Sequence, residues 1–247
     1  MTIRLYSIPL SPPGYSARLA LERKGVSYKN VDLIGGFHPP MLRALGFKGV
    51  TVPALKLEDG TRVQSSLEIT RVLERIAPDA PPLFPADPEL RGRVEDAERW
   101  GEGVLQHLPR RIIRWTLNNH LSQRQWFADV ASPFPFPKVT GVVLTPIVPL
   151  FVRQSGAYDD QIRADVSDLP DHLDHVDQLI ADGIIGTLEI NAADCQIGGC
   201  LAALNGFDDF AELFAGRPCL EMTLRLVPDF PPIPAALPEE WLAAAGD

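Results

Sequence analysis

Cysteine is scarce in this chain of 247 residues: it holds only Cys195, Cys200 and Cys219, all in the last quarter, with neither CxxC spacing nor paired histidines beside them. A disulfide-stapled scaffold and a cysteine zinc module are thereby excluded, and three buried thiols are expected. Basic charge is also short, 23 Lys and Arg against 32 Asp and Glu, for a formal net charge of -9. That balance repels phosphate backbones and leaves no broad basic footprint, so nucleic acid is not expected as a partner. Long hydrophobic runs are missing as well. The most apolar stretch, "VTGVVLTPIVPLFV" at 139–152, is broken by Pro146 and Pro149 and falls short of the roughly 20 residues a membrane span needs. The opening "MTIRLYSIPL" enters a strand pattern without the basic and apolar regions of a signal peptide. A cytoplasmic protein that avoids membranes is the expectation. No internal repeat is present.

What is there is ordinary globular material, 45% hydrophobic and 22% charged, in a length that suits two domains better than one. Residues 3–8 alternate, with Ile3, Leu5 and Ser7 on one face and Arg4, Tyr6 and Ile8 on the other, and Pro9 ends this first strand. A helix follows to Gly25, which has the character of a C′ residue. "VSYKNVDL" supplies a second strand, and "IGGFHPPMLRALGFKG" reads as an irregular connection because of its Gly and Pro content. Next, "VPALKLEDGTRVQ" holds two alternating runs joined at Asp59-Gly60, which points to a hairpin with a type I′ turn. In "SSLEITRVLERIA", Ile69, Val72, Leu73 and Ile76 take the spacing of an amphipathic helix.

Five prolines in "PDAPPLFPADP" mark a linker. The expected division is a first α/β domain over 1–78, a Pro-rich linker over 79–88, and an all-α domain over 89–247. Helical spacings such as Leu169, Leu173, Val176, Ile180 and Ile197, Cys200, Leu201, Leu204 dominate that second domain.

Few residues could carry chemistry. Ser11 stands where a Pro-rich turn becomes a helix, and with Pro12 behind it also fits an N-cap followed by an N1 proline. Pro53 cannot donate to a ladder, so it belongs at the start of a strand, where a cis bond from Val52 is available. Ser65 and Glu68 have capping-box spacing, which would leave Ser66 with a free hydroxyl at the positive end of a helix, a place suited to a small carboxylate. Asn191 and Asp194 have the same spacing in the second domain. His172 and His175 are surrounded by Asp171, Asp174 and Asp177 and read as a solvated face, so no metal site is expected.

Together these features resemble a cytosolic glutathione transferase over the whole chain. "SPPGYSARLAL" is similar to that family's serine-type opening motif at Ser11, Pro12, Arg18 and Leu21, and departs from it at Gly14 and Ser16. "VPAL" matches the cis-proline element, and "VQSSLE" matches the γ-glutamyl element at Ser66 while placing Ser65 where an acid or Gln is usual. The resemblance implies a thioredoxin-like first domain that binds glutathione as co-substrate, an all-α second domain for an electrophile, and a homodimer. It implies Ser11 as the catalytic donor to the glutathione thiolate and Val52, Pro53, Ser65 and Ser66 as glutathione-binding residues. Tyr15 is the second candidate donor or a part of the electrophile pocket, and Tyr6 is the third. The segment 134–152 is the candidate wall of a hydrophobic-substrate site. A non-catalytic ligand- or partner-binding protein and a glutathione-dependent lyase or isomerase are the rival readings.

Overall fold

A computed structural model describes residues 2–131, 136–143 and 145–243. Strands β1 (Ile3–Ser7), β2 (Tyr28–Asp32), β3 (Ala54–Lys56) and β4 (Arg62–Gln64) form one sheet in the order β2-β1-β3-β4. β1 runs parallel to β2 and antiparallel to β3, and β3 pairs antiparallel with β4. Helices α1 (Pro12–Arg23) and α3 (Ser66–Ile76) cover the face to which Leu5 and Leu55 point. Helix α2 (His38–Ala44) covers the other face, where Tyr6, Leu33, Leu42, Phe47 and Ala54 form a smaller core. This is a thioredoxin-like sheet, and its two faces divide β1 as the alternation predicts.

Two local expectations are corrected. The connection after β2 contains α2, because Pro39 and Pro40 lie in its first turn, where a missing N–H costs nothing. The hairpin does not use a type I′ turn, which needs positive φ at both Asp59 and Gly60. Only Gly60 has it, at φ 89°. A three-residue loop forms instead, closed by the Gly60 N–H to the Leu57 carbonyl at 3.1 Å and the Leu57 N–H to the Thr61 carbonyl at 2.9 Å, and Asp59 takes both the N–H and the hydroxyl of Thr61. Gly25, at φ 60°, ends α1 as expected.

Between α3 and α4 (Pro88–Trp100) the Pro-rich stretch forms no helix or strand, yet it is held down. Leu83 and Phe84 are buried, and Glu74 accepts hydrogen bonds from both the buried Lys24 ammonium and the Leu83 N–H. α4 continues through a π-helical turn, Gly101–Leu105, where the Gln106 N–H reaches back five residues to the Gly101 carbonyl at 2.9 Å, into α5 (His107–Asn119). Helices α6 (Leu121–Ala131), α7 (Pro137–Val143), α8 (Val148–Ser155), α9 (Asp159–Ser167) and α10 (Leu169–Ala181) lead to α11 (Ala192–Asn205), which is buried from Ala192 to Leu204. Short helices α12 (Ala211–Phe214), α13 (Pro218–Leu226) and α14 (Glu239–Ala243) complete the second region. All three cysteines are buried and unpaired, and burial pushes the Cys219 thiol up to about 12. His172 and His175 are not merely solvated, since both rings lie against Trp100, His175 at 4.5 Å between centroids.

The N-terminus of α11 carries the expected capping box. Asn191 accepts from the Ala193 and Asp194 N–H groups, and Asp194 accepts from Asn191 at 2.9 Å and Gly186 at 2.6 Å. Burial nevertheless raises the Asp194 carboxyl to about 6, the two backbone donors opposing it. Between an unfolded value of 3.8 and this folded one, the native state holds the extra proton, so this group's stabilising contribution is present at low pH and lost as pH rises through about 6. Urea denaturation across pH 4–7 should show the stability of the unmodified chain relative to Asp194→Asn falling by up to about 3 kcal/mol as pH rises. A relative stability that rises with pH would mean that the hydrogen bonds outweigh burial.

The two regions meet through α1 and α11. A Cβ on Gly199 would lie 2.5 Å from the Pro12 carbonyl oxygen and 3.0 Å from the Ser16 nitrogen, so only glycine allows this approach. Because backbone must move to admit a methyl group, Gly199→Ala is expected to cost roughly 1–3 kcal/mol in urea denaturation, with no loss if the helices can part freely.

Candidate functional site

β3 starts opposite Tyr6, so the bond from Val52 to Pro53 lies beside the C-terminal end of β1, and this bond is cis. The Pro53 carbonyl accepts the Ser65 N–H at 3.2 Å, which brings the start of α3 to the same place. Residues 8–11, 51–53 and 64–66 therefore converge at one end of the sheet. Gln64, which the sequence reading passed over, fixes the middle loop by accepting from the Gly49 N–H and donating to the Thr51 carbonyl.

Ser11 has the extended backbone of an N-cap, and its carbonyl receives the Tyr15 N–H at 3.0 Å. Its half-buried hydroxyl, however, makes no cap and no other hydrogen bond to a described residue. The capping role expected of the side chain is absent. What remains is a free hydroxyl at the positive end of a 12-residue helix. Gly14 departs from the family motif for a local reason, since a Cβ there would meet the Ser7 hydroxyl oxygen at 2.1 Å.

At α3 the capping box forms by half. Ser65 accepts from the Glu68 N–H at 3.3 Å, but the Ser65 N–H is taken by Pro53, so Glu68 has nothing to reach back for. Ser66 occupies the first helical position, and its buried hydroxyl oxygen has no partner. Among the described residues, only two other than glycine have positive φ: Leu10 at 65° and Ser65 at 76°. Each directly precedes one of the two unengaged hydroxyls. Such conformations cost on the order of 1–3 kcal/mol and gather where geometry serves function.

The rival donors are differently placed. Tyr15 stacks on Phe230 at 5.1 Å and under the Arg18 guanidinium at 4.8 Å, and burial raises its hydroxyl against the opposing effect of Arg18. It stays protonated, as a donor must. Tyr6 is buried edge-on against Phe47 beneath α2. A shallow depression of about 170 Å³ bordered by Phe230, Gly206, Thr223 and Pro232 includes none of the candidate residues.

Of the segment 134–152, Phe134 lies outside the described residues. Phe151 and Ile147 touch the first region, because a Cβ on Gly36 would meet Phe151 at 2.8 Å and Ile147 at 3.8 Å. Phe136, Val139, Val142, Val143 and Leu150 are exposed instead. Among the described residues no group of three or more His, Cys, Asp or Glu could hold a metal, and no helix is long and apolar enough to cross a membrane.

Residues 5–81 match the family described as glutathione S-transferase, N-terminal domain. Solved structures resemble the chain over nearly its full length. A glutathione S-transferase from Rhodospirillum rubrum F11 aligns with a TM-score of 0.61 at 20% identity, covering 98% of this chain and 99% of its own. A glutathione S-transferase of Ceriporiopsis subvermispora in complex with glutathione aligns at 0.57 and 17%, covering 97% and 100%. A beta-etherase from Sphingobium sp. strain SYK-6 aligns at 0.56 and 18%, covering 98% and 99%. No curated protein sequence matches the chain. Residues 5–81 thus match the glutathione S-transferase N-terminal domain, and the chain as a whole has the fold of these transferases.

The strain at Ser65 is open to test. Ser65→Gly relieves the positive φ while losing little of the cap and should leave stability unchanged or raise it by about 1 kcal/mol. Ser65→Ala keeps the strain, loses the cap and should lower stability by about 1 kcal/mol in thermal denaturation. Equal effects of the two would show that Ser65 is not strained.

Proposed function

We propose that this protein is a glutathione-dependent transferase in which Ser11 donates a hydrogen bond to the glutathione thiolate and a hydrophobic electrophile accepts the sulfur. The observation that carries this reading is the unengaged Ser11 hydroxyl at the N-terminus of α1, beside the cis Val52–Pro53 bond. In this reading the Val52 backbone pairs with the cysteinyl part of glutathione and Pro53 holds that backbone in position. Ser66, with its buried unpaired hydroxyl, takes the γ-glutamyl carboxylate together with Ser65. A homodimer and a role in detoxification belong to the same reading.

The chemistry is modest at the sulfur itself. Lowering a thiol from about 8.5 by about two units raises its ionised fraction at pH 7 from about 3% to about 75%, while the weaker base loses roughly tenfold in nucleophilicity. Most of the acceleration then comes from holding the electrophile beside the thiolate and stabilising developing charge. A serine at position 11 cannot exchange disulfides, which disfavours glutaredoxin-like work there. The similarity to a beta-etherase supports a second reading, in which the thiolate displaces an ether oxygen.

Ser11→Ala should cost roughly 10–1000-fold in conjugation rate, with glutathione affinity little changed. Because the hydroxyl makes no cap, stability should fall by less than about 0.5 kcal/mol, under the usual cost of a lost N-cap. The readout is the ultraviolet absorbance of bound thiolate titrated against pH, whose midpoint should rise in the variant. Identical midpoints would reduce Ser11 to a bystander and direct attention to Tyr15.

A further inference from the structure

Arg110 and Arg111 are neighbours on α5 with opposite fates. Arg111 forms a two-pronged ion pair with the buried Asp165, at 2.6 and 2.5 Å. Arg110 forms no hydrogen bond and no ion pair with any described residue, and Arg114, one turn further along the same face, has only the Phe151 carbonyl at 3.5 Å. Both side chains are partly buried. Burial lowers both guanidinium groups, Arg114 to about 10, with the Arg110 charge adding to the effect at Arg114. Two partly buried cations with a single acidic neighbour, Glu102, leave positive charge uncompensated at a cost. Such a pair is stabilised when an anion arrives from outside.

The surroundings place the pair at the meeting of the two regions. Arg114 lies over the Phe151 ring at 5.9 Å, and Phe151 abuts Gly36. Phe127 abuts Gly35 at 3.7 Å from a notional Cβ, and Ile8, whose carbonyl receives the Ser11 N–H, lies 3.8 Å from the same point. Glu102 is the acidic group facing Arg110; burial raises its carboxyl while Arg110 and Arg71 oppose that rise, so one shared carboxylate stands against the two guanidinium groups. Burial and nearby arginines lower His38 and His107, which add no negative charge.

We propose that Arg110 and Arg114 bind a carboxylate carried by the electrophilic substrate, whose aromatic body lies between Phe127 and Phe151. The transferase reading supplies what happens to that substrate; its binding does not depend on that reading. Paired guanidinium groups suit the two oxygens of a carboxylate, and the flanking rings suit a flat apolar body.

Calorimetric titration of the full chain with para-nitrobenzoate and with para-nitrobenzamide, each with and without glutathione, tests this. The carboxylate should bind roughly 10–100-fold more tightly than the amide, the range for charge-assisted hydrogen bonds. The preference should vanish in the double variant Arg110→Gln/Arg114→Gln and survive in reduced form in Arg110→Lys/Arg114→Lys, which keeps the charge and guards against simple misfolding. Equal affinities in the unmodified chain, or a preference that survives the double Gln variant, would overturn the proposal. So would displacement of the benzoate by glutathione with weakened glutathione binding in the Gln variant, since the arginines would then serve glutathione's own carboxylate. If the unmodified chain shows the preference but binds no glutathione, the site stands and the transferase reading falls.

Discussion

The contact between α1 and α11 carries the architecture. Only hydrogen fits between Gly199 and the Pro12 carbonyl, while the neighbouring Gly198 lies against the end of the Leu226 side chain. That seat fixes where α1 begins, and so where Ser11 presents its hydroxyl. It also aligns the sheet with the long run through α4, the π-helical turn and α5, because Gly101 packs directly on Gln196 and Ile197 of α11. Interiors packed this closely transmit displacement. A shift at the seat would reach the candidate site and the arginine stripe together.

Around the site the chain accepts local cost in exchange for position. Leu10 and Ser65 are bent into conformations that glycine takes more readily, Ser66 buries a hydroxyl without a partner, and Ser11 stands at a cap without making one. Elsewhere the same kinds of residue are satisfied, as Asn191 and Asp194 are at the start of α11. The contrast separates a helix start used for stability from two helix starts whose hydrogen-bonding capacity is left open.

Much of the fold was legible because it rests on periodicity and on residues with one strong preference. The alternation in β1, the amphipathic spacing of α3, Pro53 at a strand start and Gly25 at a helix end all follow from local rules. Helix α2 was hidden because prolines in a first turn look the same in sequence as prolines that break a helix. The turn at Asp59-Gly60 was misjudged because its form is decided by which residues pair on either side, and Leu57 with Thr61 could not be seen. At the site, Ser11 and Ser66 stood out as residues, but their freedom from hydrogen bonding did not. Whether a serine caps its helix depends on its rotamer and on competing partners, such as the Pro53 carbonyl that accepts the Ser65 N–H. Arg110 and Arg114 were invisible as a pair, since sequence cannot tell an arginine that meets Asp165 from its neighbour that forms no hydrogen bond with a described residue.

The π-helical turn at Gly101–Leu105 acts as a phase setting for everything after it. Because its hydrogen bond spans five residues, it inserts the equivalent of one residue into the helix and rotates the following faces by about 100° relative to α4. In that phase Arg111 meets Asp165 and Arg110 forms no hydrogen bond with a described residue. With the turn regularised, α5 would advance by one position, Arg110 taking the place of Arg111 opposite Asp165 and Arg111 that of Ile112. A single backbone hydrogen bond thus selects which of two adjacent identical side chains is structural and which is available.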